Sequence, residues 1–209
     1  MLPAMAFIGR ERELVVLGAA LQRSSQRELT RVALSGPLGV GTTRLLDELE
    51  TRIGAAKLEG VVVCRATCRE PKAGVAYAAI RAALGRALAA VGDDRLAEVL
   101  GRAASDIVVL LPGIGTRLAA LGAAPSAPEL TAPDQHGARV RESLLGVLDR
   151  LAGAGQLCLI VEDLEHADPG TQELVRMIIR LRRRMSLTLI VSHHPDELLR
   201  GHPAAGLLH

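Results

Sequence analysis

Four short, almost uninterrupted apolar runs are spread along the 209 residues, at 31–35, 60–65, 157–161 and 187–192. They lack the in–out alternation of a half-solvated sheet, so both of their faces must be covered. Helix-length segments separate them, and strands alternating with helices predict an α/β fold: a mostly parallel sheet with helices on both faces. Helices are expected over 43–52, where Leu45, Leu46, Leu49 and Ile53 fall at helical spacing before Gly54, and over 73–91, 95–104, 134–151 and 170–184. Residues 105–133 read as less regular. Pro112-Gly113 interrupts the pattern, and the Ala-, Pro- and Gly-rich stretch 122–133 reads as a flexible connector. No repeat at the 20–50 residue scale is visible, so residues 1–209 are expected to form a single domain.

Composition narrows the function classes. Hydrophobic residues make up 49% of the chain, but there is one Phe, one Tyr and no Trp. An aliphatic core without exposed aromatics argues against carbohydrate binding and against base stacking on single strands. A formal charge of +2 does not by itself call for a nucleic-acid or membrane partner. No apolar stretch is long enough to span a bilayer, and residues 1–8 lack the charged start of a secretory leader, so a cytoplasmic location is expected. Cys64 and Cys158 sit inside apolar strand-like runs and read as small core residues; nothing near Cys64 and Cys68 completes a four-ligand metal set.

The chemistry begins at Gly36-Pro37-Leu38-Gly39-Val40-Gly41-Thr42-Thr43, which follows a strand and opens a helix. Glycines let the backbone curl until several N–H groups share one concavity, and the helix N-terminus adds partial positive charge there. The Walker A pattern is G-x-x-x-x-G-K-[ST]. Gly36, Gly41 and Thr43 match it, and Thr42 stands where lysine belongs. Thr43 retains a hydroxyl suited to Mg²⁺. Losing the lysine's charge-assisted hydrogen bond, about 1.5–3 kcal/mol, is expected to weaken ATP binding about tenfold to a hundredfold, and turnover more. Arg44 is adjacent, but one helical step turns it about 100° from the Thr42 direction.

The third strand ends in the carboxylate pair Glu162-Asp163. In parallel α/β sheets ligands bind at the carboxyl ends of strands, where such a pair can hold Mg²⁺ and orient a water. The alternative is a solvated strand end. Asp168, before Pro169 and a helix, suits an N-cap, with a catalytic role as the alternative. The fourth strand ends in Ser192-His193-His194-Pro195, which places one of the histidines either beside a γ-phosphate or on an ordinary surface loop; His166, His193 and His194 match no standard metal spacing. Arg176, Arg180 and Arg182–Arg184 read as helix-end arginines rather than as a DNA contact.

Together these stretches resemble the AAA-type ATPase domain of large bacterial transcription regulators related to MalT and LuxR, and the Orc-like and STAND signalling NTPases. Phe7-Ile-Gly-Arg-Glu-Arg-Glu-Leu14 is similar to the family's F-[VI]-G-R-[ED]-x-E-L box. Residues 35–46 are similar to its phosphate-loop segment, 159–168 to its L-[VL]-x-E-D-L-H-W-A-D segment, and 189–198 to its L-[IV]-x-T-x-R-P-D-E-L strand end. Thr42 replaces the lysine, Glu165-His166 the family's His-Trp, and His194 the arginine before Pro-Asp-Glu.

The resemblance implies a P-loop NTPase of the additional-strand type, with strand 187–192 between strands 31–35 and 157–161, and strand 60–65 outside them. It implies ATP on the N–H groups of residues 39–43, with Gly36, Pro37, Gly39, Val40, Gly41, Thr42, Thr43 and Arg44 around the phosphates and Gly9 and Arg10 near the adenine. Mg²⁺ is expected between Thr43, Glu162 and Asp163, with Glu162 and Asp163 as the catalytic pair. The helical lid and an output domain are expected to be absent from residues 1–209, to be supplied by further sequence or by a protein partner. The implied function is a nucleotide-binding regulatory module with slow hydrolysis; the alternative is a scaffold that binds no nucleotide and acts through protein contacts.

Overall fold

A computed structural model describes residues 7–56, 60–68, 76–124 and 133–196. The elements run α1 (Glu11–Ser25), β1 (Thr30–Ser35), α2 (Thr42–Ala55), β2 (Val61–Thr67), α3 (Ala78–Ala89), α4 (Asp93–Leu100), α5 (Ala104–Leu110), α6 (Pro112–Ala120), α7 (Pro133–Gly153), β3 (Gln156–Glu162), α8 (Pro169–Arg180) and β4 (Leu187–His193). The four strands form one sheet in the order β1-β4-β3-β2, with every pairing parallel. β4 therefore lies between β1 and β3, and β2 lies outside β3, the order that the resemblance implies.

Period-two geometry splits the strand side chains between two cores. Leu157, Leu159 and Val161 of β3 and Leu187, Leu189 and Val191 of β4 join the larger core, built with α3–α8. Cys158, Ile160 and Ile190 point the other way, onto Leu14, Leu17 and Leu21 of α1 and Leu45, Leu46, Leu49 and Ile53 of α2. Every residue of β3 is buried. The helix α1 lies beyond the sequence expectation, although Leu14, Leu17 and Leu21 carry helical spacing.

Two further expectations are corrected. Residues 105–110 and 112–120 are helical, not irregular, because Pro112 occupies the first turn of α6. There a missing N–H costs nothing, so the proline starts a helix at the bend marked by Leu111. Helix α8 ends at Arg180, short of 184, because Leu181 turns to an extended conformation and the chain must enter β4 at Leu187. The start of the expected helix at 73–77 and most of the connector at 122–133 lie outside the described residues. Among the described residues, no helix is long and apolar enough to cross a membrane.

Asp168 is an N-cap. Its carboxylate accepts from the Thr171 N–H at 3.0 Å, the Thr171 hydroxyl at 2.7 Å and the Tyr77 N–H at 2.8 Å. One buried carboxylate thus starts α8 and anchors the entry to α3, where Tyr77 takes a left-handed conformation (φ 57). Replacing it with alanine removes the cap and orphans a buried N–H. Asp168→Ala is expected to lower stability by about 2 kcal/mol, read from the urea midpoint, and Asp168→Asn, which keeps an acceptor, by less than half of that.

Candidate nucleotide site

The phosphate loop leaves β1 at Ser35 and enters α2 at Thr42. Its first N–H, on Gly36, donates to the His193 carbonyl of the neighbouring strand at 3.4 Å, and Val40 N–H closes a turn onto the Pro37 carbonyl at 3.1 Å. Gly39 and Gly41 adopt φ of +79 and +93, a region that L side chains rarely adopt, and a Cβ at either would meet nothing within 4 Å. These two glycines are therefore required by backbone conformation and not by crowding. The N–H groups of Gly39, Gly41, Thr42 and Thr43 have no protein acceptor among the described residues. Four unpaired donors, on either side of the paired Val40, at a helix N-terminus form a concavity suited to an anion.

That loop floors a cavity of about 730 Å³, walled by Arg44 and Asp47 of α2, by Asp163, Glu165 and His166 after β3, by Ser192, His193 and His194 at the end of β4, and by Phe7. The parallel sheet brings the ends of β1, β3 and β4 to one edge, and so assembles residues as distant in sequence as Leu38 and His194, 156 positions apart. Of the residues expected from sequence, Gly36, Pro37, Gly39, Val40, Gly41, Thr42, Thr43, Arg44 and Asp163 line this cavity. Arg44 lies on the wall despite its one-step rotation from Thr42. Arg10 instead supports the loop from outside, donating to the Val40 carbonyl at 2.8 Å and pairing with Glu13 at 3.0 Å, and Gly9 does not line the cavity.

Glu162 and Asp163 are adjacent but separated by function of place. Glu162 is 2% exposed, and its Oε2 accepts from Arg65 Nε at 2.9 Å and Nη2 at 2.8 Å, and from the Thr67 hydroxyl at 3.3 Å. It is not on the cavity wall, and its Oε1 is buried without a hydrogen-bond partner among the described residues. Arg65 also reaches Asp47 at 2.6 Å and Glu50 at 3.2 Å on α2, and these carboxylates hold its guanidinium well above its ordinary range against the opposing effect of burial. Asp163, in a left-handed conformation (φ 58), turns out of the strand; its N–H donates to the Ser192 hydroxyl at 3.1 Å. The left-handed kink between two acidic neighbours sends one into the sheet edge and one into the cavity.

The sequence singled out neither Glu165 nor Ser192 as a site residue. The Glu165 carboxylate accepts from the His194 N–H at 3.1 Å, and the His194 Nε2 in turn accepts from the Leu38 N–H at 2.6 Å. An accepting Nε2 requires the neutral ring, with its proton on Nδ1. The histidine therefore takes one of the loop's donors, and links the end of β4 to the loop. Burial pushes the neighbouring His193 below its usual range, opposed by the Glu165 charge. The one sequence signal for these residues is their position just beyond carboxyl ends of apolar strands.

The three thiols are buried, and burial pushes each of them up to about 12. Among the described residues no group of three or more His, Cys, Asp or Glu is arranged to hold a metal ion by itself.

The family profile described as "AAA ATPase domain" matches residues 6–191. No curated protein matches the sequence. Eighteen solved chains match by fold. One is Cdc6p from Pyrobaculum aerophilum, with 16% identity and a TM-score of 0.49, covering 98% of this chain and 44% of that one.

Two predictions follow from this packing. Arg65→Ala leaves the Glu162 carboxylate buried without its cation and is expected to lose about 3 kcal/mol in denaturant unfolding, part of which returns in Arg65→Ala/Glu162→Gln. Thiols at about 12 are protonated at neutral pH, so iodoacetamide at pH 8 is expected to leave Cys64 and Cys158 unmodified until the protein is unfolded, as read by mass spectrometry.

Proposed function

The chain belongs to the AAA ATPase domain family, and from that premise we propose that it is an ATP-binding regulatory module whose hydrolysis is weak or lost. The observation that carries this reading is the set of unpaired N–H donors at Gly39, Gly41, Thr42 and Thr43, on the lining of a cavity that Asp163 also lines. The donors suit the phosphates. Thr43 and Asp163 suit Mg²⁺, which when bound offsets negative charge between the β- and γ-phosphates. Phe7, which lines the cavity, offers an apolar face to a base. Asp163 is the carboxylate placed to accept a proton from water, and Glu162, held by Arg65, supports it from within the sheet edge.

The weak turnover follows from Thr42. Its hydroxyl leaves the β- and γ-phosphates without the cation that ordinarily lies over them, which affects the transition state more than the ground state. A site that binds without efficient turnover suits a switch, in which the bound nucleotide biases how this domain meets another domain or a protein partner. The similarity of the four sequence boxes to MalT- and LuxR-related regulators supports placing the module in a cytoplasmic bacterial transcription regulator.

A second reading, a scaffold that binds no nucleotide, is favoured by the His194 ring on the Leu38 N–H and the Arg65 clamp on Glu162, both of which occupy groups a nucleotide site would use. Titration with a fluorescent ATP analogue and Mg²⁺ decides between them. Wild type is expected to bind, and Thr42→Lys to bind about tenfold to a hundredfold more tightly, the equivalent of ~1.5–3 kcal/mol, with a gain in phosphate release. Absence of binding by both proteins at millimolar nucleotide overturns the nucleotide reading and leaves the scaffold.

A further inference from the structure

Parallel strands place all their amino ends on one edge, about 20 Å from the phosphate loop by the rise of a seven-residue strand. At that edge the turn between α1 and β1 meets the segment between α8 and β4, and the two enclose a cleft of about 440 Å³. Five arginines line it: Arg27 and Arg31 from the first segment and its strand, and Arg182, Arg183 and Arg184 from the second. Its one carboxylate is Glu28, which pairs with none of the five among the described residues.

The ordinary explanation for arginines beyond a helix is compensation of its C-terminal carbonyls. Arg31 already fills that role for α8, donating to the Leu181 carbonyl at 2.5 Å and the Ile178 carbonyl at 3.5 Å. Arg183 pairs with Asp149 at 3.3 Å. Arg27, Arg182 and Arg184 have no acidic partner among the described residues, yet they crowd like charges around one concavity. Arg27 does so from a left-handed conformation (φ 61) just past the end of α1, where glycine would be favoured.

We propose that this cleft is a second anion site, separate from the nucleotide site, for a compact ligand bearing two or more phosphate groups. Guanidinium forks match phosphate oxygens in bidentate geometry, and several of them around one cleft favour a dense multivalent anion over a single charge. The compactness is argued from the surroundings. Along α8 the adjoining surface mixes Arg141, Arg176 and Arg180 with Glu142 and Glu173, so the basic surface does not extend as a stripe that would track a duplex. No aromatic side chain lines the cleft for base stacking.

The test is calorimetric titration of the full chain with inorganic tripolyphosphate in low salt. It compares wild type, the cleft variant Arg27→Gly/Arg182→Gln/Arg184→Gln, and the phosphate-loop variant Thr42→Glu, which sets a carboxylate among the loop's N–H donors. Arg27→Gly relieves the left-handed backbone, so the cleft variant is expected to keep the wild-type melting temperature. A binding event that weakens at least about tenfold in the cleft variant, persists in Thr42→Glu and fades with added salt is the expected result. Wild-type binding that the cleft variant retains in full, or that only Thr42→Glu loses, assigns the anion to the phosphate loop and overturns the proposal. Absence of tripolyphosphate binding overturns it as well. Binding of a 20-base-pair duplex without tripolyphosphate binding overturns it in favour of a nucleic-acid surface.

Discussion

The strand β3 is buried along its whole length and ends in a carboxylate, and both facts constrain everything around it. Burial on two faces demands helices on both sides of the sheet, which α1 and α2 supply on one face and α3–α8 on the other. A charge at the buried end demands a cation close by. Arg65 meets that demand from β2, and because it also reaches Asp47 and Glu50, it ties the phosphate-loop helix to the same strand end. The position of the loop relative to the acidic edge is therefore set by an ion cluster as well as by apolar packing.

That cluster separates two neighbouring carboxylates that a sequence motif treats alike. Glu162 is paired with Arg65 inside the sheet edge, and Asp163, one residue on, is turned by its left-handed backbone toward the cavity it lines. A comparable division runs through the loop. Leu38 gives its N–H to His194, while the four donors from Gly39, Gly41, Thr42 and Thr43 remain open to the cavity. The site thus retains a cradle for an anion while its cationic partner, ordinarily a lysine, is absent at Thr42.

Much of the fold was legible because burial leaves a direct trace in residue type. Near-continuous Val, Ile and Leu in four runs announced a covered parallel sheet, and the glycines of residues 36–41 announced a curled loop. Residues 105–110 and 112–120 were misread because a proline breaks a helix in its interior and starts one in its first turn, and local sequence does not distinguish these positions. Helix α1 went unread because its apolar residues follow a motif that drew attention to Gly9 and Arg10. Arg10 then proved to brace the Val40 carbonyl from outside the cavity.

The sequence by itself determined the strands, the glycine loop, the acidic strand end and the missing lysine, because each is a short-range pattern of size, polarity and backbone freedom. The tertiary structure decided which of those groups face one another. Arg65 meets Glu162 across 97 positions, His194 meets Leu38 across 156, and Arg27 comes beside Arg182 only because the amino ends of β1 and β4 lie together. Such pairings follow from strand order and register. Those are set by how two apolar faces are covered at once, a collective property that no single stretch of chain contains.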